Sequence, residues 1–286
     1  MRGHITGVGW REQELSFEIR DEEKELVPVR IGDEIAFAVS EPRRCIGYRP
    51  PGSASLQPCP HNRVGIGGHQ CEECILAADI LPCLRCDGDR CRNPARRKDC
   101  VQPANHALYL ASFAPGVIKV GVARWQRRFE RLAEQGARAA LIVARDDGQM
   151  IRRHETMIRK FGYPDRLQLS EKLHLLTLPA SQEELESELR EALGALKHRM
   201  RAPWLKPAET LELPTQPLFV HTPRIVSPHQ GMTLRGIVQA ITGQTLIIHT
   251  DSNETVAIEG SALTGYKVEE LAVEQGSSGQ LSLALM

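Results

Sequence analysis

Eight cysteines fall within 56 residues, from Cys45 to Cys100, and none occurs in the 186 residues that follow. Two pairs have C-x-x-C spacing, Cys71/Cys74 and Cys83/Cys86; the rest are Cys45, Cys59, Cys91 and Cys100. That spacing lets both sulfurs of one tight knuckle reach a single ion, and zinc takes four thiolate or imidazole ligands in a tetrahedron. Eight cysteines therefore suit two structural zinc sites, whose filled coordination leaves no position open for catalysis. A sequential partition gives Cys45, Cys59, Cys71 and Cys74 to one ion, and Cys83, Cys86, Cys91 and Cys100 to the other. The alternative joins the two knuckles in one site, and His61 and His69 stand in reserve as ligands. The stretch "LRCDGDRCRNPARRK" has too few apolar residues to build a core, so a metal has to supply its folding energy. No C-x-x-C-x-x-C run is present, which favours zinc over an iron–sulfur cluster.

Disulfides are the competing use of so many cysteines. The N-terminus lacks the uncharged apolar stretch of a signal peptide, and no run approaches the ~20 continuous apolar residues of a membrane span. A soluble cytoplasmic protein is expected, with its cysteines on metal rather than oxidised and no membrane partner.

The periodicity divides the chain into five segments. Residues 1–44 alternate like strands ("HITGV", "ELSFEI", "LVPVRIGDEIAFAV"), and 45–104 is the cysteine-rich region. Residues 105–201 mix strands and helices. They hold the hairpin "HALYLASFAPGVIKVGVAR", an arginine-bearing helix, the strand "AALIVAR", the helix "QMIRRHETMIRKFG" stopped at Gly162, and "LHLLTL", read as a strand. Ser181 and Glu184 form a capping box ahead of a helix with Leu185, Leu189, Leu193, Leu196 and Met200 in one stripe. Residues 202–231, with six prolines, read as an extended linker, and 232–286 return to strands that faintly repeat the N-terminal pattern. Two such units at the two ends can pair into one module.

The formal charge is zero, yet residues 85–160 carry 17 Lys and Arg against 8 Asp and Glu, a surplus of nine. A block of that sign is the footprint of a protein that meets polyanions. Its candidate phosphate contacts are Arg124, Arg127 and Arg131 on the helix after the hairpin, with Arg96, Arg97 and Lys98 inside the second cysteine knuckle.

The order of strand with Tyr109, turn, strand with Lys119-Val120-Gly121, arginine helix, strand, and helix with Glu155 resembles the GIY-YIG nuclease superfamily. The motifs stand here as Ala107-Leu108-Tyr109 and Lys119-Val120-Gly121, with "IRRHETMIRKFG" at the glutamate helix. The resemblance covers residues 105–178. It implies that Tyr109 orients or deprotonates the nucleophile, that Arg128 binds the scissile phosphate with Arg127 and Arg131 as alternatives, and that Glu155 holds one Mg²⁺. Gly121 allows close backbone approach. Lys119 stands where the family has a second tyrosine. The join of this domain to a cysteine region also resembles an uncharacterised family of prokaryotic proteins.

The expectation is an α+β protein. A GIY-YIG-like central domain, a small antiparallel sheet flanked by helices, joins a zinc-binding region and small β modules at both ends. The function that the resemblance implies is Mg²⁺-dependent phosphodiester cleavage of DNA or RNA. The rival is a nucleic-acid-binding protein, tRNA- or ribosome-associated, that keeps the fold without the chemistry. A protein–protein adaptor built on the zinc region alone would leave the arginines unexplained.

Overall fold

The computed structural model describes residues 2–21, 24–53, 55–64, 68–202, 204–205 and 209–271. The end of the expected C-terminal strand segment, 272–286, lies outside them. The N-terminal strands are β1 (Gly3–Arg11), β2 (Glu14–Arg20), β3 (Lys24–Val29) and β4 (Glu34–Val39). The cysteine region carries α1 (Glu72–Ala78), α2 (Leu81–Leu84) and α3 (Pro94–Cys100). The central part follows with β5 (His106–Ala114), β6 (Val117–Arg124), α4 (Arg128–Ala133) after a single 3-10 turn, β7 (Ala139–Asp146), α5 (Gly148–Arg159), α6 (Leu169–Leu175) and α7 (Gln182–Met200). The last strands are β8 (Glu209–Leu211), β9 (Arg224–Ile225), β10 (Thr233–Thr242), β11 (Thr245–Thr250), β12 (Thr255–Glu259) and β13 (Lys267–Glu270).

The strands form two sheets, so the class is α+β as expected. The two ends of the chain do share one module, a nine-stranded sheet in the order β3-β2-β1-β13-β4-β10-β11-β12-β9. Alternation builds its inner face. Leu15, Phe17 and Ile19 on β2, Ile35, Phe37 and Val39 on β4, Leu246 and Ile248 on β11, and Val256 and Ile258 on β12 all meet in one core. Strands from opposite flanks of the order share that core, so the sheet is strongly curled. Val238 and Ile241 both face inward although three residues apart, which strict alternation forbids. The register shift between Val238 and Ala240 supplies the extra residue. On the outer face, Ala240, Ile247 and Ala257 pack on Leu173 of α6 and on Leu176, which follows it.

The smaller sheet runs β6-β5-β7-β8. Leu108 and Leu110 of β5 face Ile151 and Ile158 of α5 and the leucine stripe of α7, while Ala107, Tyr109, Ala111 and Phe113 face the other way. Asp147 starts α5 by accepting the Met150 N–H at 2.9 Å, and Ser181 caps α7 by accepting from Glu184 at 3.1 Å.

Two sequence expectations change here. "LHLLTL" is not a strand: its first three residues finish α6. Gln168 and Glu171 form a capping box, and Leu169, Leu173 and Leu176 recur at helical spacing. The Pro-rich segment 202–231 is extended for much of its length but is built into the body. Leu205 is fully buried, Trp204 stacks on His154 at 3.6 Å, β8 adds the fourth strand to the smaller sheet, and β9 edges the larger one.

Phe37 lies on β4, whose two neighbours come from the other end of the chain, and it is fully buried. Phe37→Ala is expected to cost about 3–5 kcal/mol, read as a shift in the denaturant midpoint of the full chain.

Candidate metal centre and candidate active site

After β4 the chain enters a loop tied back to the sheet, with the Arg44 N–H donating to the Gly265 carbonyl at 2.7 Å and the Cys45 N–H to the Arg63 carbonyl at 2.8 Å. Gly47 has φ +94, and a Cβ there would stand 1.8 Å from the Gln57 carbonyl oxygen, so only glycine fits. This turn aims the Gly47 N–H at the Cys45 sulfur at 3.4 Å, and the Cys71 N–H at the start of α1 donates to the same sulfur at 3.1 Å. Cys71 caps α1 and Cys74 lies in its first turn.

The sulfurs of Cys45, Cys59, Cys71 and Cys74 all lie within 4.8 Å of one another. The Cys59 and Cys71 sulfurs are 3.9 Å apart. A Zn–S bond of about 2.3 Å puts tetrahedral sulfurs about 3.8 Å apart, whereas a disulfide needs about 2 Å. The set fits one metal ion such as zinc. Burial pushes the Cys45 and Cys74 thiols up. At Cys59 burial also pushes up, but N–H donors from Arg63 and His61, with the thiols of Cys45 and Cys74, outweigh it and hold the group at about 6. His61 pairs with Glu73 at 2.9 Å and stands outside the thiol set, as does His69.

Cys83, Cys86, Cys91 and Cys100 do not close in the same way. Among the described residues only the first four come within 4.8 Å. The second four line one cavity of about 240 Å³, together with His106 and Arg152. Burial raises the thiols of Cys83 and Cys100; the Arg96 charge opposes the rise at Cys83, and other thiols of the set add to it at both.

On the smaller sheet, Tyr109 of β5 stands opposite Gly121 of β6. Its ring lies over the glycine, where a Cβ would be 2.3 Å from the phenol oxygen. The phenol is 1% exposed and accepts from Gln135 Nε2 at 2.7 Å, while Lys119 Nζ donates to Gln135 Oε1. Burial pushes the Tyr109 pKa up, against the pull of the Arg131 guanidinium and the Gln135 bond, and the Glu155 charge adds to the rise. Burial, then the Lys172 and Arg131 charges, lower Lys119 to about 8. Glu155 is buried on α5 and accepts from Arg152 Nη1 at 2.8 Å. Tyr109, Lys119, Arg131 and Glu155 thus lie within electrostatic reach of one another.

Arg128 departs from its expected place. Its guanidinium donates to both Glu209 oxygens at 2.6 and 2.9 Å and to the Trp125 carbonyl, and it lies 4.2 Å from the Trp125 ring. The 3-10 turn at Trp125–Arg127 delays the start of α4, and Arg131, one turn later, is the arginine that faces Tyr109. Arg96 is likewise spent on structure, donating to the Ala78 and Asp79 carbonyls at the end of α1. Arg97, Lys98 and Arg124 are exposed, and Arg127, also exposed, pairs with Glu134 at 2.9 Å. Sequence reading missed Gln135, Arg152 and Lys172. Gln135 sits at i+4 from Arg131, a signal that was available; Lys172 was hidden in a segment read as loop and strand.

The fold and the four-thiol cluster define a mixed α+β protein with a four-cysteine centre that could hold a metal ion, and no helix among the described residues is long and apolar enough to cross a membrane. A family model described as "Protein of unknown function (DUF2797)" matches residues 32–268, and the chain belongs to that family. The match runs from just before β4 into β13 and includes all eight cysteines and the whole smaller sheet. Comparison with curated proteins and with solved structures finds no match.

Lys119 binds its proton more weakly in the folded chain, at about 8, than at its ordinary value of 10.5. The folded state therefore carries a penalty below pH 8 that is relieved as pH rises from about 8 to 10.5. Urea unfolding at fixed ionic strength is expected to show stability rising through this window by on the order of 3 kcal/mol more in the parent than in Lys119→Met.

Proposed function

We propose that this protein acts on nucleic acid through Mg²⁺-dependent phosphodiester cleavage, with the four-thiol centre as a scaffold. The observation that carries this reading is the gathering of Tyr109, Lys119, Arg131 and Glu155 on one hairpin and the two helices beside it. Hydrolysis of a phosphodiester needs a proton acceptor for water, a cation for the phosphate and a carboxylate for a divalent ion. Lys119, lowered to about 8, has a neutral fraction able to take the proton. Tyr109, whose burial keeps the phenol protonated, orients rather than deprotonates. Arg131, exposed at the surface of α4, meets the phosphate.

Glu155 would hold the Mg²⁺, an ion that binds through one or two carboxylates and keeps several waters. The fit is supported by a cation already seated there, the Arg152 guanidinium, whose side chain is 33% exposed and can yield. The ion would supply Lewis-acid stabilisation of the developing charge.

A second reading, a nucleic-acid binder with a retained but idle site, is favoured by one observation. Tyr109 and Lys119 are 1% and 6% exposed, beneath α6 and the loop whose Pro164 carbonyl accepts the Val120 N–H. Substrate would have to enter from the Arg131 side.

The two readings separate in an assay of labelled DNA and RNA with and without Mg²⁺. Cleavage is expected in the parent, a loss of at least about 100-fold in Glu155→Gln with binding retained, and a loss of both binding and rate in Arg131→Ala. A parent that binds with a steep salt dependence and never cleaves is the binder.

A further inference from the structure

We infer that Cys83, Cys86, Cys91 and Cys100 form a second four-thiolate metal site, and that its ion latches the cysteine-rich arm to the N-terminal half of α5. This inference stands whether or not the chain cleaves nucleic acid.

The first support is a repeated local geometry. In the closed centre, Gly47 has φ +94 and donates its N–H to the sulfur of Cys45, two residues earlier, at 3.4 Å. In the second set, Gly88 has φ +84 and donates to the sulfur of Cys86, two residues earlier, at 3.4 Å. An N–H aimed at sulfur is worth most when the sulfur is a thiolate, and a metal is what keeps a thiolate in a partly buried loop. Cys83, three residues before Cys86, completes the knuckle.

Convergence is the second support. Cys91 precedes α3 and Cys100 ends it, so one short helix returns both sulfurs to the cavity that the knuckle lines. Four thiolates around a divalent ion leave a net charge of minus two, and Arg92, Arg96, Arg124 and Arg152 line the same cavity. The Cys100 sulfur and the His106 Nδ1 flank one point above Gly148, at 2.8 and 2.9 Å. That buried nitrogen has no hydrogen-bond partner, and a thiolate at Cys100 would offer it an acceptor.

The described residues of this arm offer little apolar core of their own. The helices α2 and α3 have four and seven residues, too short to persist alone, and Leu81 and Leu84 are 38% and 58% exposed.

The latch follows from what the knuckle rests on. A Cβ at Gly88 would stand 2.2 Å from the Arg153 backbone nitrogen, so the loop lies directly on α5. Gln149 Nε2 donates to the Asp89 carbonyl and Thr156 Oγ1 to the Asp87 carbonyl, both at 3.2 Å. Arg152 lines the cavity on one side and binds Glu155 on the other. Loading the site fixes the loop, and the loop fixes the helix.

The test uses the purified full chain. Elemental analysis is expected to give two zinc equivalents, and a thiol reagent applied to the native protein should find no fast-reacting cysteine. One equivalent with four fast thiols would overturn the site, and this measurement needs no variant to fold. Cys83→Ser combined with Cys86→Ser should keep one equivalent. Hydrogen exchange in that variant should quicken at least tenfold in residues 148–159 and stay unchanged in β10–β12. Retention of two equivalents by the variant would sink the ligand assignment, and unchanged exchange in α5 after loss of one ion would sink the latch.

Discussion

The architecture depends on a hydrogen-bonded junction between Val39 and the Gly231-Met232 pair. The Val39 N–H donates to the Met232 carbonyl and the Gly231 N–H to the Val39 carbonyl, each at 2.8 Å. From there β4 and β10 run as antiparallel neighbours, Ala38 opposite Thr233 and Glu34 opposite Ile237. Residues 40–230 leave the larger sheet beside the place where they rejoin it, and in between they touch it through β9, which edges β12, and through α6, which packs on its outer face. The cysteine-rich arm, the smaller sheet and α5 to α7 are thus an insertion between two paired strands. Insertions of this kind are tolerated because their ends already lie side by side.

Within the insertion, α5 is the element that the other parts share. Ile151 and Ile158 face the leucines of β5 and the stripe of α7. Glu155, held by Arg152, lies within electrostatic reach of Tyr109 and Lys119. The side bearing Gln149, Arg153 and Thr156 receives the Cys86–Cys91 loop. A helix of twelve residues cannot hold its shape alone in water, so its position is the sum of these three contacts. The close approach of Tyr109 to Gly121 plays the same role for the sheet, because any side chain at that position would displace the ring and open the Gln135 network.

Much of this was legible in the sequence because it rests on local rules. C-x-x-C spacing and order placed Cys45, Cys59, Cys71 and Cys74 together, and alternation found the strands that build the larger core. The stripe Leu185, Leu189, Leu193 and Leu196 found α7 for the same reason. What was not legible depends on distant partners. Arg128 was assigned to the site by the family resemblance, but Glu209, 81 residues away, claims it. "LHLLTL" alternates weakly, and only its capping residues and the outer face of β11 and β12 make it helical. Six prolines argue for a linker, and they carry no sign that Leu205 and Leu211 will be buried in the body.

The junction at Val39 also has a consequence for how the chain comes off the ribosome. In the finished sheet β4 lies between β13 and β10, so it waits for strands made long after it, while β1 pairs with β2 at once and keeps only its other edge open for β13. At 5–20 residues per second, the roughly 190 residues of the insertion take about 10–40 s to emerge. For that interval Ile35, Phe37 and Val39 have no sheet to enter, and β4 is an unpaired apolar strand. The insertion meanwhile can fold on contacts of its own, with metal available to its cysteines as soon as they appear. The strand β4 is therefore the stretch of this sheet most in need of shelter by a chaperone until β10 and β13 arrive.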